Sequence, residues 1–568
     1  MEFSLMYPRD ISASSQTLTS EAINDLSIDF LLEALTNVKN EREHLHKLMT
    51  QITDDPRVIR YRCDVFEDFL RFPELRTSME DLVRKLADLR DLERFQKDQD
   101  SAAFWSLVNR LREVDEYVNC ISMLRKILSS LDIQSEGMRN LLELVTEISC
   151  ESGFDDLKKD INETLEKVRR LKSITIGVNL DDMLRPKSAG VVSLNDSLFK
   201  ESGLMRRFMR FADRKEELHH GTDVVESMRL FHPATPITAP TFVQRTELND
   251  NMTGVHITTS TVTGADSLSH AIKDTVTNIM TQTSNEIKNT VKRYVNISGY
   301  MLVNLMPEIL FYVRWAELID KIKAAGMPVC KAEILPPDER NCSFKEIYNL
   351  KLAINKVNGE EFNLITNGFD FNDERRIYIL TGPNRGGKTI FTQAVGLAML
   401  LAQWGVYVPA SSARICPCDN IYTHFPADEN DTVDLGRLGE ESKRLAEIFD
   451  MATPRSLMLL NESLATTSVA EGLFIAKDVV RAMRYLGVRC IFNTHMHELA
   501  RSLDELNAQE GTSRVESLVT GVQHGERSFK VSIMPPQGVS YAGDIAKKYG
   551  VTFDQIKDTI DSKETTVD

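Results

Sequence analysis

Hydrophobic positions recur at helical spacing in two long stretches of the chain. In AAFWSLVNRLREVDEYVNCISMLRKILSSL they form one stripe, which predicts a helix of about 30 residues and about 45 Å. The members of this stripe are Phe104, Leu107, Leu111, Val114, Val118, Ile121, Leu124, Leu128 and Leu131. The second stretch, residues 267–325, carries a similar stripe and then reaches Pro307, where we expect a kink or a break. The two stretches predict long helical arms.

The pattern changes between the arms, over residues 173–265. SITIGVNL, AGVVSL and TGVHITTSTVTG alternate β-branched and polar residues, with turn residues between them. We therefore expect a small mixed module inserted at the tips of the arms.

A stripe of arginines lies inside this module, in MRRFMRFADRK. Arg206, Arg210 and Arg214 are spaced to share one helix face, and Arg207 lies beside them. These four residues are candidates for contact with the phosphate backbone of a nucleic acid. The solvated face of an ordinary amphipathic helix accounts for the same stripe equally well.

After about residue 330, short apolar runs alternate with helical patterns. RRIYILTG, SLMLLNE and VRCIFNTH show no alternation, as expected of strands buried on both faces of a parallel sheet. The sequence thus predicts a multidomain protein, with an all-α core, long helical arms, a small mixed module inserted at their tips and an α/β domain. The expected boundaries are 1–172 for the helical core and first arm, 173–266 for the insertion, 267–340 for the return arm and core helices, and 341–568 for the α/β domain.

Composition narrows the class of protein. The 568 residues are 42% hydrophobic and 27% charged, which is typical of globular domains, and the formal net charge of −16 restricts any nucleic-acid contact to a local surface. The N-terminus shows no secretory signal, and VGLAMLLAQWGVYV is too short and too interrupted to span a bilayer. We expect a cytoplasmic protein without membrane contact. The eight cysteines include one close pair, Cys416 and Cys418, and reduced structural thiols are favoured over a zinc site.

A glycine-rich motif follows the first buried run. It satisfies G-x-x-x-x-G-K-[ST] between a predicted strand and a predicted helix, and consists of Gly382, Pro383, Asn384, Arg385, Gly386, Gly387, Lys388 and Thr389. In this context the backbone N–H groups and the helix N-terminus surround phosphate oxygens. Lys388 would reach the β- and γ-phosphates and Thr389 would offer its hydroxyl to Mg²⁺. The motif predicts a nucleoside triphosphate site.

Two later segments bear on hydrolysis. SLMLLNES ends a strand with Asn461 and Glu462, where P-loop ATPases usually place a Mg²⁺-orienting aspartate followed by a carboxylate base. Glu462 can polarise a water, but the neutral Asn461 should hold the hydrated metal more weakly. VRCIFNTHMHEL brings Thr494 and His495 to the end of the next strand, where His495 could sense the γ-phosphate or the water.

With these segments identified, the chain resembles the MutS family of DNA-binding ATPases, in the ABC-type branch of P-loop proteins. The resemblance is close in LTGPNRGGKTIF, GVYVPA, SLMLLNESLATTSVAEG, NTHMHEL and SYAGDIAKKYG, and weaker in DDPRVIRYRCDVFEDFLRFPELR. In that family a helical core extends two lever arms to a DNA-contacting clamp, and the ATPase domains of two subunits form composite sites. The resemblance implies ATP and Mg²⁺ as cofactors, DNA as a partner and a homodimer.

The resemblance also implies roles for individual residues. Asn384 would help to place the attacking water, Glu462 would act as the base and His495 would be the switch histidine, while Thr467 and Ser468 would lie across the dimer interface. Gly436, Arg437 and Leu438 replace the family's Ser/Thr-Phe signature, and Glu441 retains its acidic position. Arg437 could supply a charge in its place. The aromatic residue that stacks on adenine would fall near Leu364, and the nearest aromatic residue is Phe362.

Two functions remain open. We expect no mismatch-reading domain, because the sequence starts almost at once with core-like residues, and the resemblance then implies a clamp ATPase that acts on DNA structures in repair or recombination rather than on mismatches. The alternative is a nucleotide-gated protein-interaction scaffold with slow ATP hydrolysis. The negative net charge of the chain and the neutral side chain of Asn461 favour this alternative. A small-molecule kinase would share the glycine-rich loop but would leave the long arms unexplained.

Overall fold

The computed structural model describes most of the chain in two compact units. The described residues are 3–11, 15–96, 104–150, 154–180, 182–183, 186–196, 198, 229–231, 285, 287, 289, 300–383, 385–426, 436–464, 469–523, 526–536 and 549–557. The first unit comprises residues 1–80, 131–141 and 305–568, and the second comprises 81–130 and 142–304. The four domain boundaries expected from the sequence remain a prediction.

The N-terminal region is helical, as predicted. Its helices are α1 (Ser20–Asp25), α2 (Ile28–Leu35), α3 (Lys39–Met49), α4 (Pro56–Arg71), α5 (Pro73–Gln96), α6 (Phe104–Ser130), α7 (Glu136–Cys150) and α8 (Phe154–Arg169). A short antiparallel pair, β1 (Gln16–Thr17) and β2 (Gln51–Ile52), lies among them. Helix α6 has 27 residues, and six members of the predicted stripe are buried along it: Leu111, Val114, Val118, Ile121, Leu124 and Leu128.

The return segment does not break at its proline. Helix α9 (Tyr300–Ala324) contains Pro307 in its interior, so a break at this position is wrong, and the kink expected as its alternative remains a prediction. Residues on both sides of the proline are buried, among them Met306 and Ile309. Their packing offsets the backbone hydrogen bond that proline cannot make.

The mixed module is described in part. Strands β3 (Ser173–Leu180), β4 (Pro186–Asn195) and β5 (Arg229–Phe231) form an antiparallel sheet in that order. Two of the three predicted strand segments are thus confirmed. TGVHITTSTVTG and the arginine stripe lie outside the described residues.

The C-terminal region is an α/β domain, as predicted. Its strands are β6 (Glu333–Ile334), β7 (Cys342–Ile347), β8 (Asn367–Phe371), β9 (Arg375–Thr381), β10 (Ser412–Ile415), β11 (Ile421–His424), β12 (Leu457–Asn461), β13 (Arg489–Asn493), β14 (Arg514–Gln523) and β15 (Glu526–Ile533). Its helices are α10 (Leu350–Val357), α11 (Lys388–Gln403), α12 (Gly436–Met451), α13 (Val469–Leu486), α14 (His497–Arg501) and α15 (Leu503–Asn507).

Two sheets organise this domain. The larger has the order β11-β12-β13-β9-β14-β15, and all its neighbouring strands are parallel except β14 and β15. The smaller has the order β6-β10-β7-β8. Every residue of β12 and β13 is buried, which explains why their sequences show no alternation.

Helix α11 connects the larger sheet to the helical part of the same unit. At its C-terminal end the Gln403 amide donates to the carbonyls of Thr53 and Cys418, both at 2.7 Å. Arg62 of α4, which is also buried, donates to the Gln403 carbonyl at 3.2 Å.

Among the helices that the structure describes, none combines the length and the apolar composition that a membrane span requires.

Candidate active site

Three predicted segments meet at one edge of the larger sheet. Strands β12, β13 and β9 are neighbours, with Asn461 opposite Asn493 and Asn493 opposite Leu380. Because these strands are parallel, their carboxyl ends and the residues that follow them lie together, which is where α/β sheets carry their sites. The glycine-rich loop, Glu462 and His495 all emerge at this edge.

The glycine-rich loop needs glycine where it turns away from β9. Gly382 has φ +144°, and a Cβ there would clash with the Thr520 hydroxyl of β14. Gly387 has φ +85° and is the N-cap of α11. Arg385 also has a positive φ, of 59°, while Asn384 lies outside the described residues. The loop therefore curves tightly against β14 before the helix begins.

Lys388 turns back into this curve. Its side chain is buried, and Nζ donates to the carbonyls of Gly382 and Pro383, both at 3.2 Å. Burial lowers the pKa of Lys388, and the nearby Glu462 carboxylate opposes that shift. A compact cation at the N-terminus of a helix is suited to bind an anion.

Thr389 joins the ends of the two neighbouring strands. Its hydroxyl donates to Asn461 Oδ1 at 2.9 Å, and Asn493 Nδ2 donates to the same amide oxygen. Asn493 Nδ2 also lies 3.4 Å from the Thr389 hydroxyl. Asn493 was not among the residues predicted from the sequence, although its position at the end of a buried strand, directly before Thr494, was a usable signal.

The ligands available for a metal at this point are neutral oxygens. The Thr389 hydroxyl and the Asn461 amide are the hard donors that Mg²⁺ accepts, but neither carries charge. No group of three or more His, Cys, Asp and Glu side chains suited to a metal occurs in the described part of the chain. The pair fits a hydrated Mg²⁺ that takes its remaining ligands from water and phosphate.

Glu462 and His495 form a hydrogen-bonded pair. Glu462 Oε1 and His495 Nε2 are 2.7 Å apart, and about a third of each side chain is exposed. The hydrogen bond from His495 lowers the pKa of Glu462, against the opposing effect of burial, and the charges of His495 and Lys388 lower it further. Glu462 is therefore ionised near neutral pH and can accept a proton.

The turn that carries Glu462 is held in an unusual backbone conformation. Glu462 and Leu464 have φ angles of 55° and 64°, in the left-handed region. The Leu464 N–H donates to Glu441 Oε2 at 2.7 Å, and the Ser463 hydroxyl donates to the His424 carbonyl at 3.1 Å. His424 Nδ1 lies 2.7 Å from the same hydroxyl. These bonds fix the direction in which the Glu462 side chain leaves the sheet.

His424 is neutral in this arrangement. Its side chain is buried at the end of β11, and burial lowers the pKa of His424 to about 4, with a further contribution from the Arg444 charge. His424 and Ser463 were not predicted from the sequence, because neither belongs to a spaced motif.

The remaining predicted residues are placed as follows. Phe362 and Leu364 are partly buried in the segment before β8. Gly436 and Arg437 begin α12, and Glu441 binds Leu464 within the same chain. The other residues predicted for the dimer interface or DNA lie outside the described residues, namely Thr467, Ser468, Arg206, Arg207, Arg210 and Arg214.

Two family models match the chain. MutS domain V matches residues 378–555, which include the whole site, and the MutS2 N-terminal domain matches residues 54–325. Among curated relatives, the DNA mismatch repair protein MutS of Chlorobium chlorochromatii is 33% identical over 207 residues, covering 36% of this chain and 23% of the relative.

Other relatives give the same result. The DNA mismatch repair protein MutS of Chlorobaculum tepidum is 37% identical over 208 residues, covering 34% of this chain and 24% of the relative. The DNA mismatch repair protein MutS 2 of Halobacterium salinarum is 30% identical over 217 residues, covering 37% of this chain and 24% of the relative. The matched segments span less than a quarter of each relative. The two family models, which match separate parts of the chain, and these relatives together place the chain in the MutS family.

Proposed function

We propose that the chain is a Mg²⁺-dependent ATPase of the P-loop class. The observation that carries this proposal is the convergence of Lys388, Thr389 and the Glu462–His495 pair at the ends of three adjacent parallel strands. Lys388 and the loop N–H groups bind the phosphates, and Thr389 with Asn461 holds the hydrated Mg²⁺. Glu462 accepts a proton from the attacking water, and Asn384 helps to place that water.

The same geometry supports slow turnover. Asn461 Oδ1 already accepts hydrogen bonds from Thr389 and Asn493, and it brings no negative charge to the metal. Phosphoryl transfer depends chiefly on positioning and charge stabilisation, so a weakly held metal lowers the rate. His495 holds Glu462 in place and reports the state of the γ-phosphate.

We further propose that ATP binding closes a homodimer and that this closure controls a grip on DNA. Membership of the MutS family and the relatives named DNA mismatch repair proteins support this role in repair or recombination. Arg206, Arg207, Arg210 and Arg214 would contact the DNA backbone, while Gly436, Arg437, Glu441, Thr467 and Ser468 would line the dimer interface. The recognised substrate would be a DNA structure rather than a mismatch.

A nucleotide-gated protein-interaction scaffold is the second candidate. The net charge of −16 and the neutral Asn461 favour it, because neither is expected of a fast DNA-driven ATPase.

The decisive experiment combines one substitution with a DNA panel. Glu462→Gln should retain ATP binding and lower the hydrolysis rate by about 100-fold or more, since it removes the general base. Binding of duplex, forked and four-way junction DNA would be measured for this variant with ATP, and for the unmodified chain with ATP, ADP and a non-hydrolysable analogue. We expect affinity to change with the nucleotide.

The matched control is Glu505→Gln, which removes an exposed carboxylate paired with Lys477 on another helix. Unchanged hydrolysis in Glu462→Gln would exclude the base role. Absence of binding to every DNA structure in every nucleotide state would favour the scaffold.

A further inference from the structure

A cavity lies between three helices of the second compact unit, apart from the residues of the candidate active site. It is bounded by α6, the last turn of α7 and the first turn of α8, and its volume is about 530 Å³. Sites for small ligands have volumes of about 300–1,000 Å³. All the lining residues belong to the segments 81–130 and 142–304, so a single unit forms the cavity.

One wall of the cavity is a polar face of α6. Ser122, Arg125, Lys126 and Ser129 follow the spacing i, i+3, i+4 and i+7, so they share one side of the helix. The adjoining side carries the buried stripe, which includes Leu128. The cavity wall therefore presents two cations and two hydroxyls next to a packed core.

The other wall is the first turn of α8. Phe154 is buried and gives the cavity an apolar floor, and Lys158 lies one turn further along the same side of the helix. Helix α8 has 16 residues, and the N–H groups of its first turn carry partial positive charge. Lys158 adds a third cation to Arg125 and Lys126.

The donors of this cavity are available to a ligand. Two hydroxyls at its rim already donate to backbone carbonyls, those of Ser130 at 2.8 Å and Ser149 at 2.9 Å. The three cations, in contrast, form no ion pair with any residue that the structure describes. The hydroxyls of Ser122 and Ser129 likewise have no hydrogen-bond partner in the described part of the chain.

We propose that this cavity binds the phosphate group of a small ligand, either a phosphomonoester or free phosphate. Three cations and one carboxylate, Asp155, give its lining a net charge of +2, whereas the whole chain carries −16. A phosphomonoester carries about −1.5 to −2 charges at pH 7 and offers three strong acceptor oxygens. The charge of the ligand and the number of its acceptors thus match the cations, the hydroxyls and the helix N-terminus.

The same comparison disfavours the backbone of a nucleic acid as the occupant. Each backbone phosphate is a diester with a single negative charge, and it belongs to a continuous ridge that requires an extended surface. A cavity closed on three sides by helices fits a terminal phosphate group better. Because this site and the glycine-rich loop lie in different units, we expect it to bind its ligand without ATP.

The test uses calorimetry on the full chain carrying Lys388→Met, so that the glycine-rich loop contributes little to phosphate binding. The titrants are inorganic phosphate, glycerol 3-phosphate and dimethyl phosphate, the last of which is a diester with one charge. We expect the first two to bind and dimethyl phosphate to bind roughly 10-fold more weakly. Tighter binding of glycerol 3-phosphate would identify a phosphomonoester as the ligand, and tighter binding of inorganic phosphate would identify free phosphate.

Substitutions locate the binding in this cavity. Arg125→Gln and Lys158→Gln should each weaken the binding of both phosphates roughly 10-fold, because each removes a charge-assisted hydrogen bond. Both side chains are exposed, so the fold should be retained, and circular dichroism checks this. The matched control is Lys159→Gln, which removes an exposed cation of α8 outside the cavity lining and should change affinity by less than about twofold.

Three outcomes would overturn the inference. The first is that neither inorganic phosphate nor glycerol 3-phosphate binds. The second is that dimethyl phosphate binds equally well, or that Lys159→Gln loses as much affinity as Lys158→Gln, since either result would indicate general attraction between charges. The third is that duplex DNA binds and weakens with Arg125→Gln and Lys158→Gln while the small phosphates do not bind, which would assign the cavity to a nucleic-acid backbone.

Discussion

Two buried cations in the α/β domain, Arg489 and Lys388, are held in different ways. Arg489 at the start of β13 donates to the carbonyls of Cys416 at 2.7 Å, Arg455 at 2.8 Å and Pro417 at 3.2 Å, and its Nη1 lies 3.2 Å from Cys342 Sγ. Lys388 at the start of α11 has two carbonyl partners, both at 3.2 Å. Within the described residues neither cation forms an ion pair with a carboxylate within 4.0 Å.

The difference separates a structural cation from one suited to a ligand. The planar guanidinium of Arg489 binds carbonyls on two loops, which satisfies most of its donors without any further group. Lys388 keeps a compact charge beside a helix N-terminus, with longer bonds and an adjacent carboxylate. Burial alone therefore does not identify a functional cation. A buried cation is a candidate for ligand binding when its hydrogen-bond partners in the protein compensate its charge incompletely.

The same contacts explain the close cysteine pair. Arg489 binds the carbonyls of Cys416 and Pro417, and all eight cysteines are free thiols. Burial raises the pKa of Cys416 to about 11, although the Arg489 charge opposes this shift. Both thiols of the pair are buried. The role of this loop is therefore structural, and it depends on the backbone carbonyls that Arg489 binds.

The largest expected effect comes from Arg489→Met. This change leaves the carbonyls of Cys416, Pro417 and Arg455 without their donor, so we expect the free energy of unfolding to fall by about 4 kcal/mol. Urea denaturation followed by circular dichroism measures it. Arg481→Met, at an exposed ion pair on α13, is the control and should change stability by less than about 1 kcal/mol. A similar small loss for Arg489→Met would contradict the structural assignment.

Lys388→Met should show the opposite pattern. Its loss removes a charge-assisted contact with the phosphates, so we expect ATP affinity to fall by about 100-fold, or ~2.7 kcal/mol. The free energy of unfolding without nucleotide should change by less than about 1 kcal/mol, because only two long hydrogen bonds are lost. Calorimetry and urea denaturation on the same preparation measure both quantities. A large loss of stability with retained affinity would reverse the roles assigned to the two cations.

A third prediction concerns pH and the turn that carries Glu462. His424 has a pKa of about 4 in the folded chain against an ordinary value of 6.5, so between these values the unfolded chain binds more protons. Stability should therefore fall as the pH decreases through this window, by about 2 kcal/mol from pH 7 to pH 5. His424→Gln should remove that component, whereas the control His46→Gln on α3 should retain it. Identical pH profiles for His424→Gln and the unmodified chain would refute the prediction.

The smallest effect is expected for Asn461→Asp. A carboxylate at this position can still accept the bonds from Thr389 and Asn493, and it adds the charge that Mg²⁺ prefers. We expect equal or faster hydrolysis at limiting Mg²⁺, with less than about a tenfold change, in a steady-state Mg²⁺ titration. Asn358→Asp at the exposed end of α10 is the control. A large drop would show that the amide has a positive role.

The sequence could predict the parts of the site that depend on local pattern. Continuous apolar runs predicted β9, β12 and β13, and parallel pairing then required Glu462 and His495 to lie at one edge. Their distance of 2.7 Å agrees with that expectation. Gly382 and Gly387 could also be predicted from the motif as turn positions of the loop. Their positive φ angles agree, because few other residues adopt such conformations.

The parts that escaped prediction depend on contacts between distant segments. Asn493 meets Thr389 across 104 residues, a contact that only the folded sheet creates. Arg489 is a charged residue whose burial no hydropathy pattern reveals, since carbonyls from other loops compensate it. Pro307 lies inside a helix because of packing on both sides, which overrides the local preference of proline.

The place of β14 in the larger sheet has a consequence for shortened versions of the chain. β14 covers one side of β9 from Arg375 to Thr381, and its Thr520 lies against the glycine-rich loop. A truncation before residue 514 would leave β9 as an edge strand, with a bare row of N–H and C=O groups open to pairing with other molecules. Such a fragment would retain the complete phosphate-binding motif and would nevertheless be expected to aggregate.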